Sequence, residues 1–209
     1  MLPAAPDLPI PPLTLPLAGL DDGQDRRAHR VRLGRLAEAL ALHLGMDAHG
    51  AHQLRLAAPL HDIGELYASD PGGEPPRPLP ADEDRHRRHT QPRRGAALLS
   101  GSSLPLFALA AEIALYHRER WDGSGYPDGL RGETIPLSGR IVAVVDYFDA
   151  LTMSRSYRPA RADDRALAML AEQAGSAFDP RVVAAFLAHA TELIALRDHV
   201  NATRPEVKA

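Results

Sequence analysis

His61 and Asp62 stand side by side behind the largely apolar stretch Leu54–Leu60. An imidazole and a carboxylate in that position are poorly placed for core packing. They are well placed for metal binding, because histidine offers a neutral nitrogen and aspartate can bridge two cations. Other residues with the same chemistry are scattered along the chain. His29 lies at one end of an apolar helical stripe, with Asp25 four residues earlier on the same face. His117 closes a second stripe, and Asp146 and Asp149 lie three apart on a third segment. Arg155 and Arg158 follow that segment; two guanidinium groups there could grip a phosphate, or could be solvated surface cations.

Composition narrows the chemistry. The 209 residues include no cysteine, which excludes disulfides, zinc ribbons and thiol nucleophiles. A metal site must therefore be built from His, Asp and Glu, a set that suits Mn, Fe, Mg or Zn in an enzyme. A net charge of −3 gives no basic footprint for nucleic acid. No apolar run approaches the ~18 residues of a membrane span, and residues 1–20 lack the basic start of a signal peptide. A cytoplasmic protein of all-α class is expected, since alanine and leucine dominate and aromatics make up 5%.

The elements that must position these groups can be read in order. Residues 1–20, rich in proline and leucine, form either an extended arm or a disordered leader, and residues 21–196 form the domain. A helix is expected over 21–44, capped by Asp21 or Asp22 and ended by Gly45. A second starts near Asp47 and runs into His61 and Asp62. Residues 66–80 are loop by composition, either a wall over the site or a plain connection. Helix returns near Asp82, is interrupted at Gln91-Pro92, and restarts with Thr90 as N-cap and Pro92 in the first turn. Further helices are expected over 104–117, 138–153 and 162–173. A last one, capped by Asp179 with Pro180 behind it, runs to about Leu196 before a tail at 197–209.

Taken together, His61-Asp62-Ile63-Gly64, Arg88-His89-Thr90 and the stretch from His117 to Thr152 containing Gly125-Tyr126-Pro127 resemble the HD-GYP domain, over roughly residues 22–190. The resemblance implies an all-helical HD-type bundle around a metal centre. It also implies hydrolysis of the 3'-5' phosphodiester of cyclic di-GMP to pGpG or GMP, by water activated between two divalent ions, with iron or manganese usual. Carried over by position, the ligands would be His29, His61, Asp62, His89, His117 and Asp146, with Asp62 bridging and Asp25 a further donor. Arg155, Arg158 and Tyr126 would meet substrate, and Glu119 and Asp149 would orient ligand imidazoles. The GYP loop would dock a diguanylate cyclase or response-regulator partner, and a homodimer is compatible with the pattern. His43, His49, His52, His86, His189 and His199 match no motif position.

Three departures set this chain apart. Glu65 replaces the lysine that usually follows HDIG, Arg118 replaces the second histidine of a pair, and residues 66–80 are Pro-rich. A guanidinium has no lone pair to give a metal. Arg118 is therefore expected either to stand in for a third ion and contact phosphate, or to pair with Glu65 or Asp25. On this reading Asp62, Glu65 and Arg118 are the groups nearest the reaction. The alternatives are a non-catalytic nucleotide sensor or scaffold of the same fold, and a hydrolase of another nucleotide.

Overall fold

The computed structural model describes residues 24–67, 81–154 and 159–203. The expected N-terminal arm, its capping aspartates, the Pro-rich loop beyond residue 67, Arg155 and Arg158 lie outside them, as does the side chain of Asp25. Among the described residues the protein is all helical: α1 (Gln24–His43), α2 (Ala48–Ala57), α3 (Ala81–Leu99), α4 (Pro105–Tyr116), α5 (Leu137–Thr152), α6 (Asp163–Glu172), α7 (Pro180–Ala188) and α8 (Ala190–Ala202), with short 3-10 turns at 58–60, 63–67 and 132–134.

Local chemistry explains most of the boundaries. Gly45 has a φ of 87° and ends α1. The Asp47 carboxylate accepts from the Gly50 amide at 2.8 Å and starts α2. Asp179 caps α7, its Oδ1 accepting from the Arg181 amide at 2.8 Å, with Pro180 in the first position.

α1 packs on α2, α5 and α8, and α4 bridges α2, α3 and α5. Leu33, Leu36 and Leu40 of α1 meet Ile141, Val145 and Phe148 of α5 in one buried core that also takes in Ile113 and Phe186. The residues just before Leu33 on that same α1 face, and the residues beside Val145 and Phe148 on α5, are therefore drawn to the edge of the core, half-buried or buried. They include His29, Asp146 and Asp149.

Three expectations are corrected. α2 does not run into the HD pair: it ends at Ala57, and Pro59 lies in a 3-10 turn that leaves His61 and Asp62 at a bend between two such turns. Pro92 does not divide α3, which passes through it unbroken, so Thr90 is an interior residue and not a cap. Pro92 is buried, and packing outweighs the hydrogen bond it cannot make. The last helix is two: α7 and α8 break at His189, whose ring stacks on His43 at 3.6 Å, and α8 continues past residue 196 to Ala202.

Gly64 explains the glycine of the HDIG motif. A Cβ there would lie 2.2 Å from the Gln91 carbonyl oxygen and 2.9 Å from the Gly95 nitrogen. Only the bare backbone lets the turn after Asp62 press against α3.

Candidate metal centre

Three imidazoles converge, and each has its proton assigned by a neighbour. His61 Nδ1 donates to the Ala58 carbonyl at 3.1 Å and His117 Nδ1 to the Ile113 carbonyl at 2.9 Å. His29 Nδ1 donates to Asp149 Oδ2 at 2.7 Å. With Nδ1 as the donor, the Nε2 of each neutral imidazole keeps its lone pair, and all three Nε2 atoms face the remaining carboxylates. This is the arrangement in which an outer partner fixes the tautomer of a metal-binding histidine.

The donor atoms form two overlapping groups. His29, His61 and Asp146 make one, and His61, Asp62 and His117 the other, the ligand atoms within each lying within 4.8 Å of one another. Asp146 Oδ1 is 3.7 Å from His29 Nε2 and 4.0 Å from His61 Nε2. Asp62 reaches His61 Nε2 with Oδ2 at 3.1 Å and His117 Nε2 with Oδ1 at 3.2 Å. Two donors ~2.1 Å from one ion can be at most ~4.2 Å apart, so these spacings fit a shared cation. His61 Nε2 is a buried polar atom without a hydrogen-bond partner. A lone pair facing a carboxylate oxygen across such a gap needs a positive charge between the two acceptors, and the donor set fits a divalent ion.

The electrostatics carry the same signature. Burial works to raise the Asp62 carboxyl, but His61 and His117 hold it well below the ordinary carboxylate range. Burial works to lower the His61 imidazole, but Asp62 and then Asp146 raise it above its ordinary value. His117 is lowered, chiefly by burial. Two imidazoles on one carboxylate, His61 and His117, are thus shifted in opposite directions.

Asp149, expected to orient an imidazole, accepts from His29 Nδ1 at 2.7 Å. Besides His29 it takes the guanidinium of Arg32, which is 2% exposed, with Nη2 at 2.9 Å from Oδ2 and Nε on Oδ1. Arg32 also donates from Nη1 to Asn201 of α8 at 3.0 Å. Arg32 is absent from the residues singled out by spacing and motif. Its signal is nonetheless present in the sequence: a charged residue three positions after His29, next to Leu33 on the core-facing stripe.

Other expected members fall elsewhere. His89 is exposed, and its ring stacks on Tyr126 at 4.4 Å, so it belongs to neither ligand group. Glu119 does not orient an imidazole. It is buried, and its carboxylate accepts from the Asp128 amide at 2.7 Å and the Leu130 amide at 3.1 Å, which fastens the glycine-rich loop. Gly125 lets that loop turn back on itself, since a Cβ would lie 2.2 Å from the Arg120 nitrogen. Tyr126 donates its amide to the Arg118 carbonyl at 3.3 Å, which sets its ring beside the site. Glu65 is exposed in the turn after Asp62.

Arg118 makes no ion pair with Glu65, and its other expected partner, the Asp25 side chain, lies outside the described residues. Its Nη2 donates to both oxygens of Asp62, at 3.1 and 3.2 Å, and its Nη1 lies 3.5 Å from Asp146 Oδ2. Burial works against its charge, but Asp62 and Asp146 outweigh it and keep the guanidinium protonated.

A helical bundle that delivers a His-Asp doublet and further imidazoles to one buried point is the architecture of the metal-dependent HD domains, and a family model described as HD domain matches residues 20–182. The chain belongs to the HD domain family, in its HD-GYP group. It is 48% identical over 157 residues to the cyclic di-GMP phosphodiesterase response regulator RpfG of Xanthomonas campestris, a match covering 75% of this chain and 41% of that protein. It is 39% identical over 171 residues to 3'3'-cGAMP-specific phosphodiesterase 2 of Vibrio cholerae, covering 81% of this chain and 32% of that one. A crystal structure of a cyclic GMP-AMP specific phosphodiesterase of V. cholerae superposes with a TM-score of 0.65 at 20% identity, covering 86% of this chain and 50% of that one, a likeness of fold. The chain spans less than half the length of the curated relatives it matches. No helix among the described residues is long and apolar enough to cross a membrane.

Proposed function

We propose that the protein is a metal-dependent phosphodiesterase that opens the 3'-5' phosphodiester of cyclic di-GMP, yielding pGpG or GMP. The observation that carries this reading is the convergence of three Nε2 atoms, those of His61 and His117 buried and that of His29 half-buried, on Asp62 and Asp146, with each Nδ1 engaged elsewhere. Such a set would hold two divalent ions, with Fe or Mn the expected metals. His29, His61 and Asp146 would serve one and Asp62 and His117 the other, since His61 Nε2 has a single lone pair to give. The ions would supply an activated water and positive charge for the phosphate.

The chain's own residues do the rest. Asp149 keeps His29 in the tautomer that leaves Nε2 free. The Ala58 and Ile113 carbonyls do the same for His61 and His117. Arg118 stands at the mouth of the carboxylate pair, where its guanidinium can meet a phosphate oxygen with paired N–H donors. The Tyr126 ring, stacked on His89, offers a flat face for a base. Arg155 and Arg158 follow α5 in sequence and remain proposed phosphate contacts. The Glu119-anchored loop is the proposed docking site for a cyclase or response regulator.

Incubation of the Mn- or Fe-loaded protein with cyclic di-GMP, and separately with 3'3'-cGAMP, should give linear products separable by chromatography. Preference for cGAMP would redirect the substrate assignment. Binding of either dinucleotide without turnover would favour the sensor reading, which draws its support from Glu65 and from Arg118 lying on Asp62.

A further inference from the structure

Arg118 contacts both carboxylates on which the two ligand groups depend. Its Nη2 meets Asp62 Oδ1, the same oxygen that faces His117 Nε2, and also Oδ2, the oxygen that faces His61 Nε2. Its Nη1 meets Asp146 through Oδ2, leaving Oδ1 to His29 and His61. The overlap is therefore unequal. At Asp62 the guanidinium uses the oxygens a cation would need, whereas at Asp146 it uses the other oxygen.

We propose that Arg118 is an exchangeable counter-cation for Asp62, so that metal loading is ordered. The His29–His61–Asp146 group fills first. The second ion, held by Asp62 and His117, binds only when the guanidinium leaves Asp62, and a phosphate group favours that departure by accepting the same N–H donors. This inference rests on the phosphodiesterase reading for its metals, and it concerns loading rather than turnover.

The side chain can make the exchange. Arg118 is 36% exposed along its side chain and Asp62 33%, so the guanidinium has a solvent-facing path away from the carboxylate. Its position is fixed at the backbone by the residue before it, His117, which caps α4. The movement needed is one of rotamers, not of the helix. An arginine that forks onto a carboxylate can fork equally well onto a phosphate. Because the two partners compete for one guanidinium, phosphate and the second ion bind with positive coupling.

The test is titration of metal-free protein with Mn2+, read by calorimetry and by elemental analysis after dialysis, for wild type, Arg118→Gln and Arg118→Lys. Wild type should take one Mn2+ tightly and a second more weakly. Arg118→Gln should tighten the second site by about 10-fold, the worth of one lost charge-assisted contact competing with the ion. Inorganic phosphate should tighten the second site in wild type and have no such effect in Arg118→Gln. Arg118→Lys, which keeps a charge but not the fork, should fall between. Circular dichroism and the melting temperature show whether each variant is folded. An unchanged second site in folded Arg118→Gln, or the same phosphate effect in all three proteins, overturns the inference and leaves the hydrolase reading standing. Failure of wild type to bind any Mn2+ overturns both.

Discussion

His29 and Asp149 are 120 positions apart in sequence and joined by a 2.7 Å hydrogen bond, Nδ1 to Oδ2. Asp149 meets Arg32 as well, so one buried carboxylate ties the imidazole and a guanidinium of α1 to α5. Asp149→Asn should lower metal affinity by about 10–100-fold, because the amide no longer dictates which His29 nitrogen keeps its proton. Asp149→Ala should in addition destabilise the fold by roughly 3–5 kcal/mol, because Arg32 is left charged and buried without its carboxylate. Competition with a chelator measures the first and denaturant unfolding the second. Equal metal affinity in Asp149→Asn and wild type would dismiss the orienting role.

Gly64→Ala places a methyl group against the backbone of α3. The turn that carries Asp62 must then shift, at a cost of about 1–3 kcal/mol. Unfolding midpoints of wild type and variant provide the check, and a change of a few tenths would show that the turn yields freely.

Glu119→Ala leaves the amides of Asp128 and Leu130 without their acceptor. The loss should be roughly 1–3 kcal/mol, and it should be local. Hydrogen exchange should show faster exchange at residues 125–131, while the core of α1 and α5 stays protected. Uniform loss of protection across the chain would count against an anchoring role for Glu119.

Asp163 and Arg197 join the start of α6 to α8 by two parallel N–H···O contacts, Nη2 to Oδ2 at 2.9 Å beside the pair Nη1 and Oδ1. Arg197 holds the Asp163 carboxyl below the usual carboxylate range. A carboxyl depressed in the folded state contributes stability that is fully present above its unfolded pKa of ~3.9 and is lost as pH falls through the lower folded value. Asp163→Asn should lower the melting temperature at neutral pH, and the difference from wild type should shrink below pH ~4. Melting curves from pH 7 to 3 test this. A difference that grows with acidity would reverse the sign.

The sequence revealed what was local. Gly45, Asp47 and the Asp179-Pro180 pair each set a helix end within a few residues of themselves, so their effect could be read without tertiary information. Pro92 and His189 could not be read this way. Burial of Pro92 against the core carries α3 through a residue that breaks isolated helices, and a break at His189, in a stretch without Gly or Pro, coincides with the stack on His43. The same division holds at the metal centre. Spacing brought His29 and His117 onto core-facing stripes, and the bundle gathers them with Asp146. Spacing could not show that the His89 ring turns onto Tyr126, or that Arg118 reaches over Asp62, because both depend on neighbours distant in sequence.

His117, Arg118 and Glu119 follow one another at the end of α4, and no two of them do the same thing. The first faces Asp62, the second covers that same carboxylate, and the third grips the loop through Asp128 and Leu130. A tripeptide has little slack. The loop's anchor and the buried imidazole that faces Asp62 therefore stand two peptide units apart, so the surface loop and the interior site are fastened to one short piece of backbone.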